Sequence, residues 1–281
     1  MIGALPLPAP LDTSDVQRAL LACVAVGAFA PTIGAFLVQK RLSLIGDGVG
    51  HVAFAGVGLG LLVNIWPVWT ALLFAVGGAV GLELLRAKRR VAGDLALALF
   101  FYAGIALGVV FAAKAGDLDL ETLPYLFGDP LQMSTGGLVA VLVVGGIVAV
   151  GIWSLRRVLF AVVTDEGWAR VEGLPVDTLG VGLAALTAAV IVAGMKVVGL
   201  LLMAALMVLP VASAQLLARS FRQTVWLAAL IGASSAFVGV VVGQVLHLSI
   251  SGSIVLVAAA VFSVVSLSRR SLPAAVKGAA A

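Results

Sequence analysis

Residues 136–155 read GGLVAVLVVGGIVAVGIWSL, twenty residues without one ionisable side chain, and Arg156-Arg157 follow at once. At 1.5 Å per residue a helix of this length reaches about 30 Å, the thickness of a bilayer's hydrocarbon core. The run is too long for a buried strand and lacks the polar face of a water-soluble helix. It predicts a membrane-spanning helix that ends where two guanidiniums meet the headgroups. The whole chain is built in this way: of 281 residues 62% are hydrophobic and 11% charged, at a mean hydropathy of +1.21, against about 25% charged in a soluble domain. A water-soluble globule is excluded. No stretch of about 50 mixed residues is left over for a separate soluble domain. The expected architecture is an all-α polytopic membrane protein in which 1–281 form a single integral membrane domain. Residues 16–268 would be embedded, with 1–15 and 269–281 as tails.

Nine apolar segments are read, at 16–38, 44–63, 67–85, 94–113, 136–155, 176–194, 197–217, 225–246 and 250–267. Eight spans with one broken element is the competing count, because 44–63 is rich in glycine and 195–196 barely separates two segments. The basic residues at 40–41, 86–90, 156–170, 219–222 and 269–277 fall on one side of a nine-span chain and number 14 of the 17 present. By the positive-inside rule that side is cytoplasmic. Basic residues scattered between spans mark topology and leave no continuous face for nucleic acid. The opposite side carries a loop with Asp117, Asp119, Glu121 and Asp129 against one base. An acidic loop of that kind either attracts cations or is simply solvated. The first fifteen residues lack a basic stretch ahead of an apolar one, so the first span is expected to remain in the mature protein. The lone cysteine, Cys23, lies inside the first span and cannot form an internal disulfide. Gly46/Gly50, Gly56/Gly60 and Gly104/Gly108 have the four-residue spacing that lets helices approach closely in lipid. Pro31 and Pro210 interrupt the hydrogen bonding of their segments.

Segment 44–60 reads LIGDGVGHVAFAGVGLG and places Asp47 and His51 inside an apolar run. A charged Asp at the centre of a span costs about 2.5 to 3.5 kcal/mol on insertion scales, so it faces a cavity or a partner. Four residues apart, the two side chains share a helix face, and oxygen with nitrogen suits manganese, iron or zinc. A pair that hydrogen-bonds internally or caps a broken helix fits the same spacing. If the pair does bind metal, two ligands leave the coordination incomplete, and a second copy across a two-fold axis would make four. His247 and Lys196 fall at outer turns, where an interfacial imidazole and a snorkelling ammonium are expected. Glu83 and Arg86 form an i,i+3 pair.

The connection 156–175 carries its own helix signals. Thr164 is positioned to N-cap a short helix, Asp165 and Glu166 fall in its first turn, Gly173 supplies a left-handed end and Pro175 stops it. Phe160, Val163, Val171 and Leu174 give it an apolar side. Such a helix either passes force from an attached motor subunit or rests on the membrane surface. The phosphate loop, the HExxH zinc helix and the GxSxG elbow are all missing from the sequence.

Four ordered motifs resemble one family. Arg41-Leu-Ser-Leu-Ile-Gly-Asp-Gly-Val-Gly-His51, Tyr125-Leu-Phe-Gly-Asp129, the run from Lys196-Val-Val-Gly to Pro210-Val-Ala-Ser-Ala214, and 157–175 ending Gly-Leu-Pro are similar to segments of the membrane permeases of ATP-binding cassette importers for manganese, zinc and iron. The resemblance implies a multi-pass permease of the prokaryotic plasma membrane that is not itself an enzyme. It would pair with a second copy of itself, with a cytoplasmic ATP-binding subunit and with an extracytoplasmic metal-binding protein. No permanent cofactor is implied; a divalent metal ion is the cargo, contacted by Asp47 and His51. Residues 165–174, with Asp165, Glu166, Trp168, Arg170, Gly173 and Leu174, would be the ATPase-coupling helix. Phe127, Gly128 and Asp129 would meet the binding protein. The sequence departs from the family pattern in placing Gly50 before and Val52 after the histidine. A metal-chelate or corrin importer, a proton-coupled secondary metal transporter and a non-transporting scaffold are the alternatives.

Overall fold

The computed structural model describes residues 13–87, 93–116 and 122–270. Among them every regular element is helical: α1 (Ser14–Gln39), α2 (Ile45–Leu62), α3 (Pro67–Ala87), α4 (Gly93–Ala115), α5 (Leu123–Phe127), α6 (Thr135–Thr164), α7 (Glu166–Val171), α8 (Val176–Met195), α9 (Leu200–Leu217), α10 (Phe221–Val245) and α11 (Ile250–Arg270). All except α5 and α7 are long and apolar enough to cross a bilayer, so the described residues hold nine candidate spans rather than eight. The glycine-rich α2 is continuous, and α1 and α9 continue through Pro31 and Pro210. Of the sequence-predicted charges, Lys88, Arg89, Arg90, Asp117, Asp119, Glu121 and Lys277 lie outside the described residues, as do residues 1–12 and 271–281.

Helices α1 and α2 are the most buried of the spans, followed by α8 and α9. Two thirds of the apolar windows of α1 and α2 are buried, against 22% for α4. Helix α1 packs against α6, α8, α9 and α10, and α2 against α3, α4, α8 and α9. Helices α8 and α9 contact both α1 and α2, so the α6/α10 flank on α1 and the α3/α4 flank on α2 lie on either side of these four helices. Leu95, Tyr102, Val150 and Leu256 on the outer helices are more than 60% exposed. Lipid tails are as apolar as the core, so packing at close range must hold the helices together. Small residues supply it. A Cβ added to Gly27 of α1 would lie 2.5 Å from the carbonyl oxygen of Gly232 of α10, so only glycine permits that crossing. The predicted glycine pairs all face neighbours: Gly46 and Gly50 face α9, Gly56 and Gly60 face the start of α3, and Gly104 and Gly108 face α2.

The helix ends converge as the charge count requires. At the basic, inner end Lys40, Glu83, Arg86 and Glu166 come together from α1, α3 and α7. At the outer end Asp129 N donates to Lys196 O at 3.0 Å and Ser251 Oγ donates to Val197 O at 3.2 Å, joining the α8–α9 turn to the loop after α5 and to α11. Helix α6, at 30 residues, runs nine residues past its expected end. Arg156 and Arg157 belong to its inner turns.

Candidate functional site

The approach to α2 is a tight reversal. Lys40 is the C-cap of α1, Arg41 takes a left-handed φ of 59°, and Leu42 N donates to Leu37 O at 2.8 Å before Ile45 opens α2. Asp47 therefore sits in the first turn of α2 and His51 one turn further in, both half-buried. Gly46 and Gly50 place this stretch against α9, close to Ala204 and the Leu200 carbonyl. The His51 ring meets Phe101 of α4 edge to face, with centroids 4.3 Å apart. Behind it, a Cβ on Gly104 would come within 2.6 Å of the His51 carbonyl carbon. Val52, the departure from the family pattern, fills the space left by Gly78 of α3, where a Cβ would lie 2.7 Å from its Cγ1.

Among the described residues no hydrogen bond or ion pair reaches the Asp47 carboxylate or the His51 ring nitrogens. Leu44 at the helix start provides no side-chain cap, and Asp47 caps nothing. The internally bonded alternative therefore finds no support. A carboxylate and an imidazole left free in an apolar helix are chemically ready for a cation. No group of three or more His, Cys, Asp or Glu that would hold a metal occurs among the described residues. One chain thus presents two donors at this place.

The short inner helix is α7, and its details correct the sequence expectation twice. Asp165, not Thr164, is the N-cap: its carboxylate accepts from Trp168 N at 3.0 Å, while Thr164 ends α6 and its hydroxyl donates back to Phe160 O. Thr164 is still helical, so its side chain cannot turn toward α7. Val171 does not belong to an apolar inner side; it is 86% exposed, as the exposed indole of Trp168 also is in large part. The inner side is Ala169 with Leu174, packed on Val162 and Val176. Gly173 takes the expected left-handed φ of 79°, and Arg170 is paired with Asp177 at the start of α8. The hydrogen bond and charge of Asp177 hold the Arg170 guanidinium above its ordinary range.

The Glu83–Arg86 pair proves to be half of a larger cluster. Lys40 Nζ lies 2.8 Å from Glu83 Oε1 and 3.1 Å from Glu166 Oε1, and Arg86 reaches Glu166 Oε1 at 2.7 Å and Glu83 Oε2 at 3.2 Å. Two cations and two anions close a neutral ring in which the side chains of Lys40 and Glu83 are 5% and 8% exposed. Burial pushes the Glu166 carboxyl up, but Lys40 and Arg86 outweigh it and hold the group below the usual carboxylate range. Gly180 of α8 leaves the space that Glu83 occupies. The ring ties α7 to α1 and α3, directly beside the turn that leads into Asp47. Sequence spacing shows only the Glu83–Arg86 pair, because the other members are 43 and 80 residues apart.

At the outer end Phe127 is half exposed, whereas Gly128, at φ 77°, backs onto the α8–α9 turn, where a Cβ would lie 2.6 Å from the Val198 carbonyl carbon. The Asp129 carboxylate accepts from Gln132. The Lys196 ammonium does more than snorkel: it lies 5.0 Å from the Tyr125 ring centroid and 5.3 Å from that of Trp66. Burial pushes Lys196 below the ordinary lysine range. His247 is exposed in the α10–α11 turn, at the opposite end of the bundle from Asp47.

Residues 12–269 match the ABC 3 transport family. The manganese transport system membrane protein MntC of Listeria monocytogenes is 29% identical over 92% of this chain and 91% of its own length. The probable iron transport system membrane protein of Haemophilus influenzae is 30% identical over 90% and 93%. In three dimensions the chain is similar to PsaBC from Streptococcus pneumoniae, solved in complex with Fab, with a TM-score of 0.80 and 27% identity over 90% of this chain and 91% of that one. The chain is a member of the ABC 3 transport family, a multi-pass permease of the plasma membrane whose ATP hydrolysis resides in a separate subunit.

Proposed function

We propose that this chain is one half of the membrane path of an importer for a divalent transition metal, manganese, iron or zinc, and that Asp47 and His51 contact the ion as it passes. The observation that carries the reading is the pair itself: a carboxylate and an imidazole one helical turn apart on α2, half-buried and without a partner among the described residues. Relatives named for manganese and iron transport support the cargo class. Two donors are too few to replace the water around such an ion, so a second copy facing the first across the α3/α4 flank supplies the other two. A soluble metal-binding protein delivers the ion at the outer face, where Phe127 is exposed beside Gly128 and Asp129.

Coupling follows from the charged ring. The ATP-binding subunit docks on α7, whose exposed Trp168 and Val171 face away from the bundle. Movement of α7 pulls on Glu166, and through Lys40 and Arg86 on the inner ends of α1 and α3. Because Lys40 is seven residues before Asp47 across a hydrogen-bonded turn, the displacement reaches the metal pair and opens the path to one side or the other. Uptake of manganese, iron and zinc by cells carrying Asp47→Ala or His51→Ala tests the reading. Loss of uptake with normal membrane insertion is expected; unchanged uptake overturns it, and chelate uptake that survives both substitutions assigns the chain to a chelate importer.

A further inference from the structure

On the flank away from Asp47 and His51, α6 and α10 splay apart over α1 and leave an open groove of 840 Å³. Its walls are apolar, from Phe29, Ile152, Val225 and Trp226, and its inner end holds Arg156, Arg157 and Arg222. No acid lines it, and among the described residues none of the three arginines has an ion-pair partner. The Arg156 guanidinium lies 5.3 Å from the Trp153 ring centroid, which orients it at headgroup depth. We propose that this groove binds one anionic glycerophospholipid of the inner leaflet, its phosphate among the three arginines and an acyl chain along α1.

Charge selects this occupant. Three exposed positive charges with no counter-ion among the described residues attract an anionic headgroup and repel the ammonium of a zwitterionic one. A second copy on a two-fold axis would set the same arginines against each other, because an isologous interface presents one patch to itself. That copy already has its place on the α3/α4 flank in the reading given above, and this part of the argument rests on that reading.

The test is lipid retention by the full chain with its ATP-binding subunit, purified in detergent and titrated with phosphatidylglycerol, phosphatidylcholine or glycerol phosphate, with bound lipid read by native mass spectrometry. Tight retention of phosphatidylglycerol is expected, with phosphatidylcholine weaker and glycerol phosphate alone not retained. Substituting all three arginines by glutamine reduces the preference for the anionic lipid on the order of a hundredfold, at about tenfold or less per charge. Ala149→Phe, which fills the groove and leaves the arginines in place, lowers retention of both lipids. Equal retention of the two lipids, a preference that survives the triple substitution, or retention of glycerol phosphate alone overturns the proposal. So does an intermolecular disulfide formed by Trp226→Cys, which would put a second copy on the groove. Metal binding plays no part in this assay, so its outcome is independent of the Asp47/His51 reading.

Discussion

The Arg86 guanidinium and the Glu166 carboxylate meet at 2.7 Å although 80 residues separate them in the chain. One stands on a membrane span and the other is the first residue of the short inner helix α7. With Lys40 and Glu83 they make the only charged cluster among the described residues that joins α7 to α1 and α3. Its members are the first place to interrupt the transport cycle without touching Asp47 or His51.

Arg86→Gln and Glu166→Gln are each expected to lower metal uptake about tenfold while ATP hydrolysis by the assembled transporter continues. The double variant should be little worse than Glu166→Gln alone, because Glu166 carries both links of α7 to the ring, to Lys40 and to Arg86. A double-mutant cycle on stability should give an interaction of about 1 kcal/mol, modest because Glu166 is 40% exposed and partly screened. Uptake and hydrolysis measured on one preparation check this, and parallel loss of both activities would count against transmission through the ring.

Lys40 and Glu83 carry the buried side of the cluster. Lys40→Met leaves Glu83 facing Arg86 alone and is expected to cost about 3 kcal/mol, in the range for removing one partner of a buried pair. Adding Glu83→Met restores neutrality with Arg86 and Glu166 still paired, and should recover most of the loss. Thermal unfolding in detergent reads the difference.

The pH dependence has a defined sign. Glu166 is held below the usual carboxylate range, so its contribution is fully present above the unfolded glutamate value of about 4.3 and is lost only as pH falls through the still lower folded value. Between about pH 5 and 8 the attachment of α7 should not change. Protease sensitivity of the connection 164–176 across that range measures it.

Two glycines separate packing from site geometry. Gly104→Ala forces a Cβ against the His51 backbone and is expected to cost about 1 to 3 kcal/mol and to displace the imidazole, with metal uptake falling further than stability does. Gly77 of α3 has nothing within 4 Å of an added Cβ, and Gly77→Ala should stabilise the protein by about 0.5 to 1 kcal/mol, the gain of alanine over glycine inside a helix. Melting curves and uptake of the two variants are compared directly.

The spans and the Asp47/His51 pair were legible because lipid imposes simple conditions: each span needs a long apolar run, and an ionisable side chain inside one stands out. Helix ends were less legible. Arg156 and Arg157 look like a terminus, but α6 continues because Leu159, Val162 and Val163 are buried against the bundle. Thr164 and Asp165 are both good capping residues, and only the continuation of α6 through Thr164 decides between them. The charged ring and the Lys196 cage of Trp66 and Tyr125 join residues from separate helices and turns, which spacing along the chain cannot reveal. A hint did exist in the ring's case: basic residues clustered at the inner helix ends, and the first turn of the 165–174 segment carried a glutamate.

The central claim is that Asp47 and His51 hold the passing ion, and the most direct measurement is pulsed electron paramagnetic resonance of Mn(II) bound to the purified transporter. A nitrogen coupling from a directly bound imidazole is expected in the wild-type protein and should vanish in His51→Asn, with weaker binding in Asp47→Asn. Mn(II) bound with the same nitrogen coupling in His51→Asn would contradict the account.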